Sequence, residues 1–183
     1  MLLLKKFIYI DTSRAIIYVM YITSYGGMIM REYEEKLRKY ILENSIDAEQ
    51  FVYEDICHSA EDAAVAAGTT LENIVKNICL VDPEGNLIVA ILKGDDKFDL
   101  KKITEFLSIK KLKTATPEQI LEKTGYICGG VPSFSYPATF IIDTRVMESD
   151  FVFTGGGSQF SLVKISPEAL KKANSGNIVD IRK

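Results

Sequence analysis

Two apolar runs, Ile74-Val75-Lys76-Asn77-Ile78-Cys79-Leu80-Val81 and Leu87-Ile88-Val89-Ala90-Ile91-Leu92, flank the turn signal Asp82-Pro83-Glu84-Gly85-Asn86. Runs of this length bounded by Pro and Gly predict a β-hairpin. Neither arm alternates apolar with polar residues, so neither can leave one face in water. The rest of the chain must therefore cover a sheet on both sides. Lys76 breaks the pattern. An ammonium group among apolar neighbours is disfavoured unless an anion or a hydrogen-bonding cage compensates it.

The flanking segments supply such covers. Apolar residues Tyr33, Leu37, Tyr40 and Ile41, separated by charged ones, predict an amphipathic helix over 31–43. Gln50-Phe51-Val52-Tyr53 reads as a short strand. Ser59, with Asp62 three residues on, opens an alanine-rich helix that Gly68 stops. Asp99 opens a helix through Leu107. Thr116-Pro117-Glu118-Gln119 starts another as a capping box with Pro at its first position, and Gly125 ends it. Strands follow at 139–143, 151–154 and 160–165, then a helix from Ser166-Pro167-Glu168 to Ala173 and a terminal strand at 178–181. Strands and helices mix without strict alternation, which predicts an α+β fold.

Residues 1–30 stand apart: apolar and Tyr-rich, interrupted by Asp11 and Arg14. No uninterrupted run there reaches the roughly 20 residues that span a bilayer. They read either as an extra strand pair or as a leader upstream of the true start, which the helix after Met28 and Met30 favours slightly. The expected organisation is an N-terminal extension over 1–30 and one domain over 31–183.

A chain of 183 residues can bury a core without metal or disulfide staples. Its net charge of −3 argues against non-specific binding along a nucleic-acid backbone, though not against a focused patch such as Lys101-Lys102 or Lys110-Lys111-Leu112-Lys113. Cys57, Cys79 and Cys128 have no metal-ligand spacing, and His58 is the chain's sole histidine, so no metal is expected. No cofactor is expected either. Cys79 and Cys128 read as buried small hydrophobes in a reducing cytoplasm. Cys57 and His58, as neighbours in extended chain, should face opposite ways, which speaks against a nucleophile–base pair.

Two glycine-rich loops, Gly129-Gly130-Val131-Pro132 and Gly155-Gly156-Gly157, offer bare main chain where a Cβ would obstruct a ligand. Thr69 and Thr70, just before the Lys76 strand, have hydroxyls within reach of a phosphate or ribose, although capping of the 71–73 turn is the ordinary role for Thr70. A lysine facing two glycine loops indicates a pocket for a small, partly anionic ligand.

Ala63-Ala64 through Gly68, then Lys76, Thr124-Gly125-Tyr126, Gly129-Gly130-Val131-Pro132, Asp143, Gly155-Gly156-Gly157 and Ser166-Pro167-Glu168 follow in an order that resembles the YbaK/prolyl-tRNA synthetase-associated domain family. The resemblance runs from about residue 50 to 173. It implies a curved mixed sheet forming a partly closed barrel with flanking helices. It also implies a pocket for the aminoacylated 3′ end of tRNA. Lys76 matches the lysine that such proteins need for activity, and Gly129-Gly130 the loop forming one pocket wall. The usual glycine, three residues and proline become Gly129 and Ser133 here, with Pro132 one place early. Tyr136 stands where many relatives have histidine. Both departures bear on the size of the amino-acid pocket.

The expected activity is trans-acting deacylation of mischarged tRNA, with tRNA for proline carrying alanine or cysteine as the family's usual substrate. Lys76 is the expected catalytic residue. Thr69, Thr70, Gly129, Gly130, Val131, Pro132, Ser133, Tyr136, Gly155, Gly156 and Gly157 are the expected substrate-binding set. Expected partners are the aminoacylated tRNA 3′ end and an aminoacyl-tRNA synthetase, with no membrane, in the cytoplasm. Two other readings stand: a non-catalytic tRNA- or synthetase-binding module, and a small-carboxylate or peptide-binding protein.

Overall fold

The computed structural model describes residues 5–11, 16–22 and 26–183, with side chains from residue 31 onward. Strands β1 (Lys5–Asp11) and β2 (Ile16–Ile22) pair antiparallel. Helix α1 spans Gly26–Glu43, beginning five residues before the expected start and crossing the 30/31 boundary. The remainder of the N-terminal extension, residues 1–4, 12–15 and 23–25, lies outside the described residues.

The chain continues through β3 (Ala48–Val52), α2 (Ala60–Ala67), a 3₁₀ turn (Leu71–Asn73), β4 (Val75–Val81) and β5 (Leu87–Lys93). Then come α3 (Leu100–Leu107), β6 (Lys113–Thr114), α4 (Pro117–Thr124), β7 (Thr139–Asp143) and a second 3₁₀ turn (Thr144–Glu148). Strands β8 (Val152–Gly155) and β9 (Ser161–Ile165), helix α5 (Pro167–Asn174) and strand β10 (Asn177–Val179) complete it. The last strand stops short of Ile181, whose amide instead bonds the Asp143 carboxylate at 2.9 Å.

The predicted hairpin is the centre of the molecule. A five-stranded mixed sheet runs in the order β10-β7-β5-β4-β6, with β4 antiparallel and β7 parallel to β5. All seven residues of β5 are buried. Val89 and Ile91 join α1's Leu37 and Ile41 in one core, while Ile88, Ala90 and Leu92 pack with α3's Ile103 and with Leu112 and Ile181. Each buried Val, Leu or Ile among them is worth roughly 1.5–3 kcal/mol relative to exposure. This two-sided burial is what the unbroken apolar arms required.

A three-stranded antiparallel sheet, β3-β9-β8, stands beside the first. Ala63 and Ala64 of α2 seat that helix against Ile74, Phe153 and Leu162. The expected partly closed barrel is not formed. The two sheets touch at the parallel bridge between Ile74 and Phe153, and among the described residues no ladder joins β4 to β8. Beyond the bridge, side chains occupy the place of backbone pairing: Asn77 Nδ2 donates to Thr154 Oγ1 at 3.1 Å and to the Val131 carbonyl at 2.8 Å.

Candidate active site

The gap where the sheets part holds a cavity of about 170 Å³. Strand β4 contributes Val75, Lys76, Asn77 and Cys79 to its wall, and the start of α2 contributes Ser59, Ala60 and Ala63. Gly129, Val131 and Gly155 come from the two glycine loops. The order of elements therefore brings Lys76 and residues of both loops to one cavity.

Local chemistry fixes each wall. A capping box joins Ser59 and Asp62 at the start of α2, and these bonds to Ser59 hold the Asp62 carboxyl below its ordinary pKa. The Lys76 ammonium is half-buried and donates to the Gly94 carbonyl at 2.8 Å. Gly94 in turn donates its amide to Ile74 O at 2.7 Å. A Cβ on Gly94 would stand 3.0 Å from Ala60 Cβ and 3.2 Å from Leu71 O, so a side chain there would crowd α2 and the 3₁₀ turn by a few tenths of an ångström. Arg145 braces the same turn by pairing with Asp96 at 2.7 Å and Asp95 at 3.3 Å.

The glycine loops pack against each other through their main chain. Gly157 donates its amide to Gly130 O and Gly156 to Ser161 O, both at 2.8 Å. A Cβ on Gly155 would stand 2.2 Å from Val131 O, and one on Gly130 2.6 Å from Ser158 Cα. The two loops lean on each other through bare main chain, and no side chain fits between them. Gly129, with φ at +89° and His58 Nδ1 2.8 Å from where its Cβ would be, faces the cavity.

Of the expected binding residues, Gly129, Val131 and Gly155 line the cavity; Thr69, Thr70, Gly130, Pro132, Ser133, Tyr136, Gly156 and Gly157 stand outside its lining. Thr69 Oγ1 accepts from Asn73 Nδ2 at 3.0 Å, and Thr70 occupies the cap position of the 3₁₀ turn without a side-chain capping bond. Ser133 is fully buried; its hydroxyl lies 2.6 Å from both Asn77 Oδ1 and Thr154 Oγ1. With the Asn77–Thr154 bond this closes a ring of three polar side chains, of which Asn77 lines the cavity while Ser133 and Thr154 stand outside its lining. Tyr136 donates to Pro132 O at 2.7 Å, and its ring packs near Tyr126 and Phe140. Burial holds its phenol well above the ordinary range. Both departures from the family pattern thus act behind the loop as struts.

Cys57 and His58 both line the cavity, where neighbours in extended chain were expected to face opposite ways. Burial pushes the Cys57 thiol up to about 11 and the Cys79 thiol up to about 12, so both stay protonated at neutral pH and neither is an activated nucleophile. Cys128 is exposed, contrary to expectation, in the turn before Gly129, its carbonyl accepting from Gln159 Nε2 at 3.0 Å. Among the described residues no cluster of His, Cys, Asp or Glu is placed to hold a metal ion, and no helix is long and apolar enough to cross a membrane.

Sequence reasoning passed over Asn77 and Gly94. A polar residue directly after Lys76 in an otherwise apolar arm was a readable signal for the first. Only the proximity of Ala60 and Leu71 reveals the second.

Fold and site define an α+β domain with a small cavity lined by one lysine, Lys76, together with Gly129 and Gly155 of the two glycine loops. The sequence matches the aminoacyl-tRNA editing domain family over residues 54–173, more than half of the chain, and the protein belongs to that family. It is 26% identical over 134 residues to "Uncharacterized protein YwhH" of Bacillus subtilis, covering 72% of this chain and 85% of that protein. It is 23% identical over 134 residues to "Putative Cys-tRNA(Pro)/Cys-tRNA(Cys) deacylase EbsC" of Enterococcus faecalis, covering 72% and 82%. A crystal structure described as "a putative trans-editing enzyme for prolyl tRNA synthetase" shares the fold, with a TM-score of 0.77 at 23% identity over 82% of this chain and 97% of the other.

Proposed function

We propose that this protein is a trans-acting deacylase that hydrolyses the ester of mischarged tRNA, with Lys76 positioning the 3′ end. The observation that carries the reading is the Lys76 ammonium, held at 2.8 Å from the Gly94 carbonyl on the wall of a cavity shared with Gly129 and Gly155. An aminoacyl ester is already activated, so no strong nucleophile is required. A held water adds to the ester carbonyl, the tetrahedral intermediate expels the ribose oxygen, and that oxygen takes the proton. Free amino acid and uncharged tRNA result. Lys76 offers two further ammonium protons to the terminal phosphate or to the developing oxyanion. The protonated thiols of Cys57 and Cys79 agree with a site that orients substrate and lets the neighbouring ribose hydroxyl assist.

The cavity's size favours a small aminoacyl group, which fits alanine or cysteine on tRNA for proline. Such editing has a physical motive: one methylene is worth only about 1–3 kcal/mol of discrimination, so a synthetase pocket admits smaller intruders. A synthetase partner would supply the tRNA selectivity that a chain of net charge −3 does not offer by general phosphate attraction.

The test is a panel of misacylated tRNAs incubated with wild type and with Lys76→Ala. Wild type is expected to release alanine or cysteine from tRNA for proline, and Lys76→Ala to lose at least about 100-fold in rate, as for other charge-stabilising donors. Full activity in Lys76→Ala removes the lysine's role. Binding without turnover by wild type marks a non-catalytic module instead.

A further inference from the structure

Glu34 lies on α1, outside the family-matched residues 54–173, and yet is buried against the triple-glycine loop. Its carboxylate accepts a short hydrogen bond from the Ser158 hydroxyl. Ser158 is itself buried; its hydroxyl accepts from Phe160 N at 3.0 Å, and its amide donates to Ser161 Oγ at 3.1 Å. The main chain of α1 closes on the same loop, since a Cβ at Gly157 would stand 2.7 Å from Tyr33 O and 3.2 Å from Glu34 Cα. Gln50 of β3, also outside the matched region, donates from Nε2 to Glu34 O at 3.0 Å and to Gly156 O at 2.7 Å.

We infer that Glu34 is a positioning residue that fixes the cavity wall formed by the triple-glycine loop. Gly155 lines the cavity, and Gly157 donates to Gly130 O, so the loop that Glu34 holds also holds the other glycine loop. A main-chain wall has no side chains of its own to lock it, and its geometry must be imposed from behind. Glu34, Ser158 and Gln50 do this from α1, β9's leading turn and β3. Burial raises the Glu34 carboxyl above its ordinary range, against the lowering effects of Ser158, Arg38 and Arg31. The network binds the wall in spite of that cost.

As a statement about catalysis this rests on the deacylase reading, so the experiment has two independent readouts. The first is amide hydrogen exchange at Gly155–Gly157 in the full chain, without substrate. The second is deacylation of alanyl- or cysteinyl-tRNA for proline, with kcat and KM resolved. Glu34→Ala and Ser158→Ala are each expected to speed exchange at these amides and raise KM about tenfold, the scale of one charge-assisted bond. The kcat loss should be smaller. Glu34→Gln keeps an acceptor for the Ser158 hydroxyl and is expected to stay within about twofold of wild type. The double variant Glu34→Ala/Ser158→Ala should be no worse than either single one.

Unchanged exchange and KM in a folded Glu34→Ala protein overturn the inference, as does a Glu34→Gln variant as impaired as Glu34→Ala. If wild type hydrolyses none of the esters, the deacylase reading fails. The exchange result then still decides whether Glu34 orders the wall.

Discussion

Ser133 shows how a single departure from a family pattern is absorbed. Its hydroxyl closes the ring with Asn77, which lines the cavity, and with Thr154 behind it. Ser133 and Thr154 are fully buried, so each depends on its ring partners, and an orphaned buried polar group keeps its desolvation penalty. Ser133→Ala is therefore expected to cost about 1–3 kcal/mol of stability, read as a lowered urea midpoint with unchanged slope. Thr154, fully buried, would show the coupling: Ser133→Ala combined with Thr154→Val should cost less than the sum of the two. Nothing in the order of residues discloses this ring. Its members stand at 77, 133 and 154, and only Asn77 carried a local signal.

Among the elements, the ones written in the sequence with capping chemistry form where expected. Ser59 with Asp62, Thr116 with Gln119, and the left-handed Gly68 and Gly125 bound α2 and α4. Those signals are local, involving residues three or four apart, so tertiary contacts do not override them. The glycine loops differ. Read alone, a glycine pair is equally a tight turn or a ligand wall; here the 130 and 155–157 main chains meet each other. Gly155→Ala places a Cβ 2.2 Å from Val131 O, and no flexible side chain can give way. The expected outcome is a loss of about 1–3 kcal/mol in thermal or urea unfolding, together with weakened substrate binding, since the displaced strand end is part of the cavity. A stable, fully active Gly155→Ala protein would show that the loops can separate without consequence.

For the whole molecule, pH exposes which carboxylates the fold favours. Glu34 has a raised folded pKa, so its contribution is fully present below its unfolded value near 4.5 and is lost as pH rises through the folded value. Glu34→Gln removes that loss. Its stability relative to wild type is expected to grow as pH rises from about 4.5 to 7, measured by urea unfolding at several pH values. A constant difference across that window would mean the carboxyl titrates as it does in the unfolded chain. Asp62, Asp82 and Asp180 have lowered values and act in the opposite sense, through hydrogen bonds at exposed caps, turns and the Lys102 contact.

Local pattern alone determined the covered sheet, the capped helices, the lysine set among apolar residues and the family order of glycines, because each depends on neighbours a few positions away or on spacing along the chain. Tertiary structure decided the rest: two sheets meeting at Ile74 and Phe153 in place of a partly closed barrel, Gly94 as the partner of Lys76, Ser133 and Tyr136 as struts, and Glu34 behind the wall. Which side of a loop faces ligand and which faces support depends on contacts between segments separated by up to 124 positions in the chain. Such contacts leave no periodicity for a linear reading to detect.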